Sequence, residues 1–246
     1  MLLTWIIVFS VLGSVGAIAG AALLLLFRES TRKTVLPCLL SYAIGTLLGA
    51  AFLGMIPNAL QQNTALTISG TVLAGIVIFF VLEKLIIWRH CHESECEVHG
   101  AAGPLILIGD AFHNFVDGFV IAAAFLTSVP LGIASSLAVI AHEIPQEVGD
   151  FAILLENRYS KTRALAFNLL SSLTTLPGAV IAYFFLGATR EAVPFILALS
   201  AASFIYIAIA DLVPSLHRQI GLKPALAQLA LILAGIGTIA VFRLVH

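Results

Sequence analysis

Eight long apolar stretches, separated by short polar ones, follow one another along the 246-residue chain. Each contains at least the roughly 20 residues that an α-helix needs to cross about 30 Å of hydrocarbon. The stretches are too long and too continuous for the alternating strands of a membrane β-barrel. The pattern therefore predicts an all-α membrane protein with a single transmembrane domain over residues 1–246. The predicted helices, numbered 1 to 8 along the chain, cover residues 4–27, 35–58, 66–88, 104–128, 131–155, 164–187, 192–216 and 223–245.

The composition agrees with a protein that contacts the lipid bilayer along its whole length. Hydrophobic residues make up 60% of the chain and charged residues only 10%, whereas soluble domains carry about 25% charged residues. A formal net charge of −1 gives no indication of nucleic-acid binding. The sequence contains no P-loop pattern, so transport driven by ATP hydrolysis is not supported.

The Lys and Arg residues predict the orientation of the helices. If the N-terminus lies outside the cytosol, only Arg190 and Arg243 of the 12 Lys and Arg residues fall on the outer side. Cytoplasmic loops of membrane proteins carry the excess of positive charge. The even number of helices then places both termini outside, and we expect an integral protein of the plasma membrane (in a bacterium, the inner membrane).

The longest connection, residues 89–103 on the cytoplasmic side, is rich in metal-binding side chains. Residues 90–99 contain three His, two Cys and three Glu. These side chains suit a soft or borderline metal such as zinc, but their spacing matches no fixed zinc-finger pattern. Two interpretations remain open, an accessory metal-binding segment and a solvated polar loop. In the first, the ligands are His90, Cys91, His92, Cys96 and His99.

Ionisable and amide side chains interrupt the apolar sequence of helices 4 and 5 near the middle of the membrane. In helix 4, His113 and Asp117 are four residues apart and share a face, with Asn114 beside them. In helix 5, His142 and Gln146 share a face in the same way. Comparing the midpoints of the two antiparallel helices places Asp117 level with His142, and His113 level with Gln146. These side chains are therefore predicted to converge near the bilayer centre.

A second group of acidic residues lies closer to the cytosol. It comprises Asp110 in helix 4, Glu147 and Asp150 in helix 5, and Asp211 in helix 7. Polar groups inside a membrane are energetically costly and need a partner or a function. We interpret this group as a path along which a cation leaves the central site.

Besides binding a transported metal, the central polar residues could serve three roles. They could be structural hydrogen-bonding residues or a proton relay. They could also form an intramembrane zinc hydrolase, with His113, His142 and Asp117 as ligands and Glu143 as general base. The combination of two imidazoles with amides and carboxylates is more typical of a bound transition metal. The hydrolase is further disfavoured because residues 142–146 lack the second His of a His-Glu-x-x-His motif.

The motifs at these positions resemble the ZIP (Zrt-, Irt-like) family of divalent-metal transporters. Residues 113–118 read His-Asn-Phe-Val-Asp-Gly, similar to the family's His-Asn-x-x-Asp/Glu-Gly signature. Residues 142–150 read His-Glu-Ile-Pro-Gln-Glu-Val-Gly-Asp, similar to the His-Glu-x-Pro-His-Glu-x-x-Gly-Asp motif of one large branch. Residues 204–214 at the end of helix 7 are similar to the same branch.

The resemblance implies two inverted three-helix repeats flanking helices 4 and 5, a 3+2+3 arrangement, in a homodimer. It implies a transporter without enzymatic activity or catalytic cofactor, moving Zn²⁺, or Cd²⁺, Fe²⁺ or Mn²⁺, into the cytoplasm through a two-metal site. The implied primary ligands are His113, Asp117, His142 and Gln146. The implied second set is Asn114, Asp117, Glu143 and Asn168, with Asp117 bridging both ions.

The sequence departs from the family branch at two positions. Gln146 replaces a His in helix 5, and Gly54 replaces a His that many members carry in helix 2. Zinc binds imidazole nitrogen better than an amide oxygen, whereas Mn²⁺ accepts oxygen readily. The two departures therefore leave the metal selectivity open.

Overall fold

The structure, a computed structural model, describes residues 1–90, 102–217 and 221–244. These residues form helical segments and turns, without any strand. Within the described ranges the helical segments are α1 (Leu2–Leu26), α2 (Glu29–Leu60), α3 (Ala65–His90), α4 (Ala102–Thr127), α5 (Val129–Glu156), α6 (Lys161–Ala188), α7 (Arg190–Leu216) and α8 (Leu222–Leu244). Each corresponds to one predicted helix, which confirms the all-α fold.

The largest difference from the predicted boundaries is at the start of α2. The helix begins at Glu29, six residues before the apolar stretch that predicted it. Its first turn is polar and contains an ion pair between Lys33 Nζ and Glu29 Oε1 at 2.6 Å. A pair four residues apart supports a helix that continues beyond the hydrocarbon, and hydropathy alone does not detect such an extension.

Among the described helices, seven contain a stretch long and apolar enough to cross a membrane, judged by length and composition. The exception is α5, which carries His142, Glu143, Glu147 and Asp150. That α5 also crosses the membrane, and that the termini lie outside the cytosol, stay predictions.

Helices α4 and α5 lie at the centre of the helix packing. They pack on each other; α4 also contacts α1, α6 and α7, and α5 contacts α1 and α2. The outer pairs are α2 with α8 and α3 with α7. The polar residues of α4 and α5 are thus enclosed by apolar helices.

Two helix crossings are close because glycines face the neighbouring backbone. A β-carbon at Gly118 of α4 would overlap the carbonyl oxygen of Thr175 in α6, and one at Gly178 would overlap that of Phe115. Gly45 of α2 meets the backbone of α8 at Ile232 in the same manner. Small residues let membrane helices approach in this way, so these glycines serve packing within the chain.

Helices α2 and α7 share an irregular feature. Each contains a π-helical segment, Ala50–Met55 in α2 and Ile207–Leu212 in α7. A proline follows at the second residue after each segment, Pro57 and Pro214. The shared pattern is what the implied repeat would produce, although the inverted repeat itself stays a prediction.

The predicted loop 89–103 can be followed only at its ends. Residue 90 still belongs to α3, and residue 102 already belongs to α4. Residues 91–101, including Cys91, His92, Cys96 and His99, lie outside the described residues, as does the side chain of His90. Metal binding by this segment stays a prediction.

Candidate metal centre

Four side chains of α4 and α5 direct one ligand atom each to a common point. His113 Nε2 lies 3.2 Å from His142 Nε2 and 3.4 Å from Glu143 Oε1. His142 Nε2 lies 3.3 Å from Asp117 Oδ2 and 3.4 Å from Glu143 Oε1. The remaining imidazole distance, from His113 Nε2 to Asp117 Oδ2, is 3.9 Å. We call these four residues the histidine site.

The spacing of these atoms matches a tetrahedral zinc site. Zinc lies about 2.0–2.1 Å from nitrogen and oxygen ligands, so the ligand atoms of a regular tetrahedron are about 3.3 Å apart. Four of the distances in the histidine site lie between 3.2 and 3.4 Å. All four atoms lie within 4.8 Å of one another. A zinc-sized ion would therefore reach all four ligands with small side-chain adjustments.

The tautomer of His142 is suited to metal binding. Its Nδ1 lies 3.0 Å from the carbonyl oxygen of Ala138. A carbonyl only accepts hydrogen bonds, so Nδ1 carries the proton and Nε2 presents its lone pair. A backbone carbonyl that orients a histidine in this way is a common companion of metal ligands.

The carboxylates of the histidine site lack other partners. Asp117 and Glu143 are fully buried, and none of their carboxylate oxygens accepts a hydrogen bond from the described residues. Their recorded ion-pair contacts within the described ranges are with His113 and His142. Buried charges normally require compensation, and a divalent cation at the centre of the four atoms would provide it.

A second cluster lies beside the histidine site and shares one residue with it. Asp110, Glu143 and Glu147 each offer a carboxylate oxygen, and these atoms lie within 4.8 Å of one another. All three residues are buried. We call them the carboxylate triad.

The amide side chains predicted as ligands form hydrogen bonds around the two clusters. Asn114 Nδ2 donates to Asp110 Oδ1 at 3.0 Å, and Gln146 Nε2 donates to the same oxygen at 3.1 Å. Asn168 Nδ2 donates to the carbonyl oxygen of Glu147 at 3.2 Å. None of these three amides belongs to the histidine site, and their roles as ligands stay predictions.

The outer members of the predicted path are placed differently from the triad. Asp150 is half-buried in α5, one turn beyond Gln146, and belongs to neither cluster. Asp211 is exposed on the π segment of α7 and likewise belongs to neither. The structure thus brings Asp110 and Glu147 together with Glu143, but not Asp150 and Asp211.

Sequence reasoning missed the hydroxyl groups of α6 that hold α4 in place. The helix is interrupted between Ser172 and Thr175. At this break Thr174 Oγ1 donates to the carbonyl oxygen of Ala111 at 2.5 Å, and Thr175 Oγ1 donates to Asn114 Oδ1 at 3.0 Å. The run of Ser and Thr in the middle of an apolar helix was the available signal.

A cavity of about 310 Å³ lies at the end of the bundle where α4 and α5 are joined. Its walls include Gly54, Asn58, Gln61 and Ser128. A β-carbon at Gly54 would lie 2.8 Å from Leu131 Cδ1. A histidine at this position, as in many members of the resembled branch, would require Leu131 to move.

The sequence is similar to known metal transporters along most of its length. The family model described as ZIP Zinc transporter matches residues 88–243, a range that contains both clusters. Zinc transporter ZIP13 of Pongo abelii is 34% identical over 223 residues, which cover 84% of this chain and 66% of the relative. Zinc transporter ZIP4 of Mus musculus is 46% identical over 120 residues, covering 49% of this chain and 18% of the relative. Zinc transporter foi of Drosophila melanogaster is 36% identical over 155 residues, covering 62% of this chain and 22% of the relative. The chain thus spans less than two thirds of the length of these curated relatives.

Proposed function

Because the chain belongs to the ZIP zinc transporter family, we propose that it carries divalent transition-metal ions, above all Zn²⁺, across the membrane into the cytoplasm. The observation that carries the proposal is the convergence of two imidazole nitrogens and two carboxylate oxygens at zinc-compatible distances. The family relatives are named as zinc transporters. Cd²⁺, Fe²⁺ and Mn²⁺ are the alternative cargo ions.

The burial of the ligands suggests how the ion enters and leaves the histidine site. The side chain of His113 is 22% exposed, whereas those of Asp117 and Glu143 are 0% exposed. His113 is therefore the ligand that a partly hydrated ion meets first or leaves last. The other three ligands complete the coordination once the ion has lost its water.

A second ion and a cytoplasmic exit path extend this proposal. The family resemblance implies a two-metal site in which Asp117 bridges both ions, and a carboxylate between two cations would lower their repulsion. The exit path would run past Asp110, Glu147, Asp150 and Asp211. The segment 90–99 would receive the ion in the cytoplasm.

The protein is an integral membrane protein, and its family consists of transporters rather than enzymes. The hydrolase alternative is not favoured, because Glu143 Oε1 lies 3.4 Å from the Nε2 atom of each imidazole. That is the position of a ligand, and a general base would need to face a substrate. A homodimer in the plasma membrane is part of the proposal.

The test is zinc uptake into proteoliposomes loaded with a zinc-sensitive dye. The native protein is expected to produce a saturable fluorescence increase, and His142→Ala is expected to reduce it to background because the tetrahedral set loses one ligand. Glu191→Gln, an exposed carboxylate at the start of α7, is the control and should transport normally. Native-level uptake by a folded His142→Ala protein would refute the proposed site.

A further inference from the structure

The carboxylate triad contains five buried oxygens that have no hydrogen-bond partner among the described residues. They are Asp110 Oδ2, both carboxylate oxygens of Glu143 and both of Glu147. Glu147 is fully buried and Asp110 is 5% exposed, so water does not readily solvate them. The carboxylate of Glu147, one turn further along α5 than Glu143, accepts no hydrogen bond from the described residues.

The surrounding groups orient the triad but do not neutralise it. Asn114 and Gln146 both donate to Asp110 Oδ1, which leaves Oδ2 free to face the cluster. A carboxylate only accepts hydrogen bonds, so the amide nitrogens must point to it. No Lys or Arg of the described residues forms an ion pair with any triad member.

A third helix contributes a buried side-chain oxygen that has no hydrogen-bond partner among the described residues. Asn168 of α6 is 2% exposed and is tied to the backbone of Glu147 through its Nδ2 atom. Its Oδ1 atom has no hydrogen-bond partner among the described residues. The side chain that is anchored to the backbone of Glu147 thus carries one more buried acceptor without a donor, and oxygen ligands of this kind are typical of a cation site.

We propose that Asp110, Glu143 and Glu147 form a second, all-oxygen binding site for a divalent cation, coupled to the histidine site through Glu143. This inference rests on the proposed transport function. It takes the place of the second ligand set that the family resemblance implies, with which it shares only Glu143, so the expected total is two ions per chain. Asn114 and Gln146 become positioning residues for Asp110, since their amide nitrogens are already directed to that carboxylate.

The shared glutamate gives the ion a continuous route between the sites. Bonds from the ion to His113 and His142 are exchanged for bonds to Asp110 and Glu147, while Glu143 remains bound throughout. No redox change or proton donor is required for this exchange. An all-oxygen site holds zinc less firmly than one with two imidazoles and accepts Mn²⁺ readily. The triad would therefore release zinc towards the cytoplasm and would itself prefer a hard ion.

The experiment measures metal binding to the purified full-length protein in detergent. Equilibrium dialysis counts the Zn²⁺ ions bound per chain, and Mn²⁺ titration followed by electron paramagnetic resonance gives the Mn²⁺ affinity and the identity of its ligands. The native protein is expected to bind two Zn²⁺ ions. Glu147→Gln should bind one Zn²⁺ and lose about tenfold or more in Mn²⁺ affinity, because a charged ligand is replaced by a neutral one. Glu147→Asp keeps the charge and should restore part of that affinity.

The variant His142→Ala separates this inference from the proposed function. It should lose the tighter zinc ion and zinc uptake but keep a bound Mn²⁺ whose spectrum lacks nitrogen coupling. Asp110→Asn alters the triad from the other helix and should reproduce the effect of Glu147→Gln, so the test does not depend on one variant folding. Glu191→Gln should bind like the native protein.

Two results would overturn the inference while leaving transport intact. One is an unchanged Zn²⁺ count and Mn²⁺ affinity in both Glu147→Gln and Asp110→Asn. The other is nitrogen coupling to Mn²⁺ at every bound ion, which would place all cations in the histidine site. If His142→Ala instead retained native zinc binding and uptake, the proposed function itself would fail.

Discussion

The substitution Asp117→Asn offers the most direct test of the histidine site, because it changes charge with little change in shape. Zinc binding to a four-ligand protein site contributes about 10–16 kcal/mol, which is about 2.5–4 kcal/mol for each ligand. Asparagine retains a weak oxygen donor, so the expected loss is about 2–4 kcal/mol. This corresponds to zinc binding weakened about 30- to 700-fold.

The same substitution should have the opposite effect on the metal-free protein. Asp117 is fully buried, and neither carboxylate oxygen accepts a hydrogen bond from the described residues. Without the metal, a carboxylate oxygen of Asp117 lies within 4.8 Å of one of Glu143, so neutralising one of the two carboxylates removes a repulsion between like charges. We therefore expect the metal-free Asp117→Asn protein to unfold at the same temperature as the native protein or at a higher one.

Thermal unfolding with and without zinc measures both effects. At a free zinc concentration about 100 times the native Kd, binding stabilises the native protein by about 2.7 kcal/mol. A variant that binds about a hundredfold more weakly would gain only about 0.4 kcal/mol. Uptake into proteoliposomes should fall in parallel, with Glu191→Gln as control. A folded Asp117→Asn protein with native uptake and a native zinc-induced shift would refute the reasoning.

Three further substitutions or deletions test other parts of the molecule. Deleting residues 90–99 should alter release or regulation but keep zinc transport, and a stable deletion without any uptake would contradict the accessory role. Gln146→His replaces the amide that donates to Asp110 with an imidazole that can turn to the ion. It should raise zinc affinity about tenfold and shift preference from Mn²⁺ to Zn²⁺, and an unchanged preference in metal competition would show that the new side chain stays on Asp110. Gly178→Ala should lower stability by about 1–3 kcal/mol in thermal unfolding because its β-carbon would overlap the backbone of α4. Gly187→Ala in the same helix meets nothing within 4 Å and should be neutral; equal effects of the two would argue against the close crossing.

The number, type and approximate limits of the helices could be predicted because the sequence itself shows the length of each apolar stretch. The same holds for the convergence of α4 and α5, since four-residue spacing fixes which side chains share a face. The predicted contact between Asp117 and His142 is confirmed at 3.3 Å. The extension of α2 to Glu29 was missed because its first turn is polar.

The register between α4 and α5 was predicted less well, and the short connection explains why. The predicted boundaries left two residues between the helices, and the predicted pairing placed His113 level with Gln146. In the structure a single residue, Ser128, joins Thr127 to Val129. Residues that are equally distant from Ser128 in the sequence therefore face each other. Examples are Asp110 with Gln146 and His113 with Glu143. Small errors in the predicted end of α4 and start of α5 therefore displaced the predicted pairing by about one helical turn.

Contacts from α6 could not be deduced from the sequence. The hydrogen bond from Thr175 to Asn114 joins residues 61 positions apart. It depends on a break in α6 and on the close approach at Gly118 and Gly178. Local patterns identify each polar residue, but the direction of its side chain is decided by helices distant in the chain.

The single-residue connection at Ser128 has a consequence for how the protein is made. Among the described helices, α5 is the one whose own composition falls short of a membrane span. Each carboxylate near its centre opposes insertion by about 2.5–3.5 kcal/mol. We therefore expect α5 to leave the insertion machinery together with α4, as a hairpin in which the polar faces already shield each other. The ion-selecting residues would then meet before α6, α7 and α8 leave the ribosome, and the rest of the bundle would assemble around them.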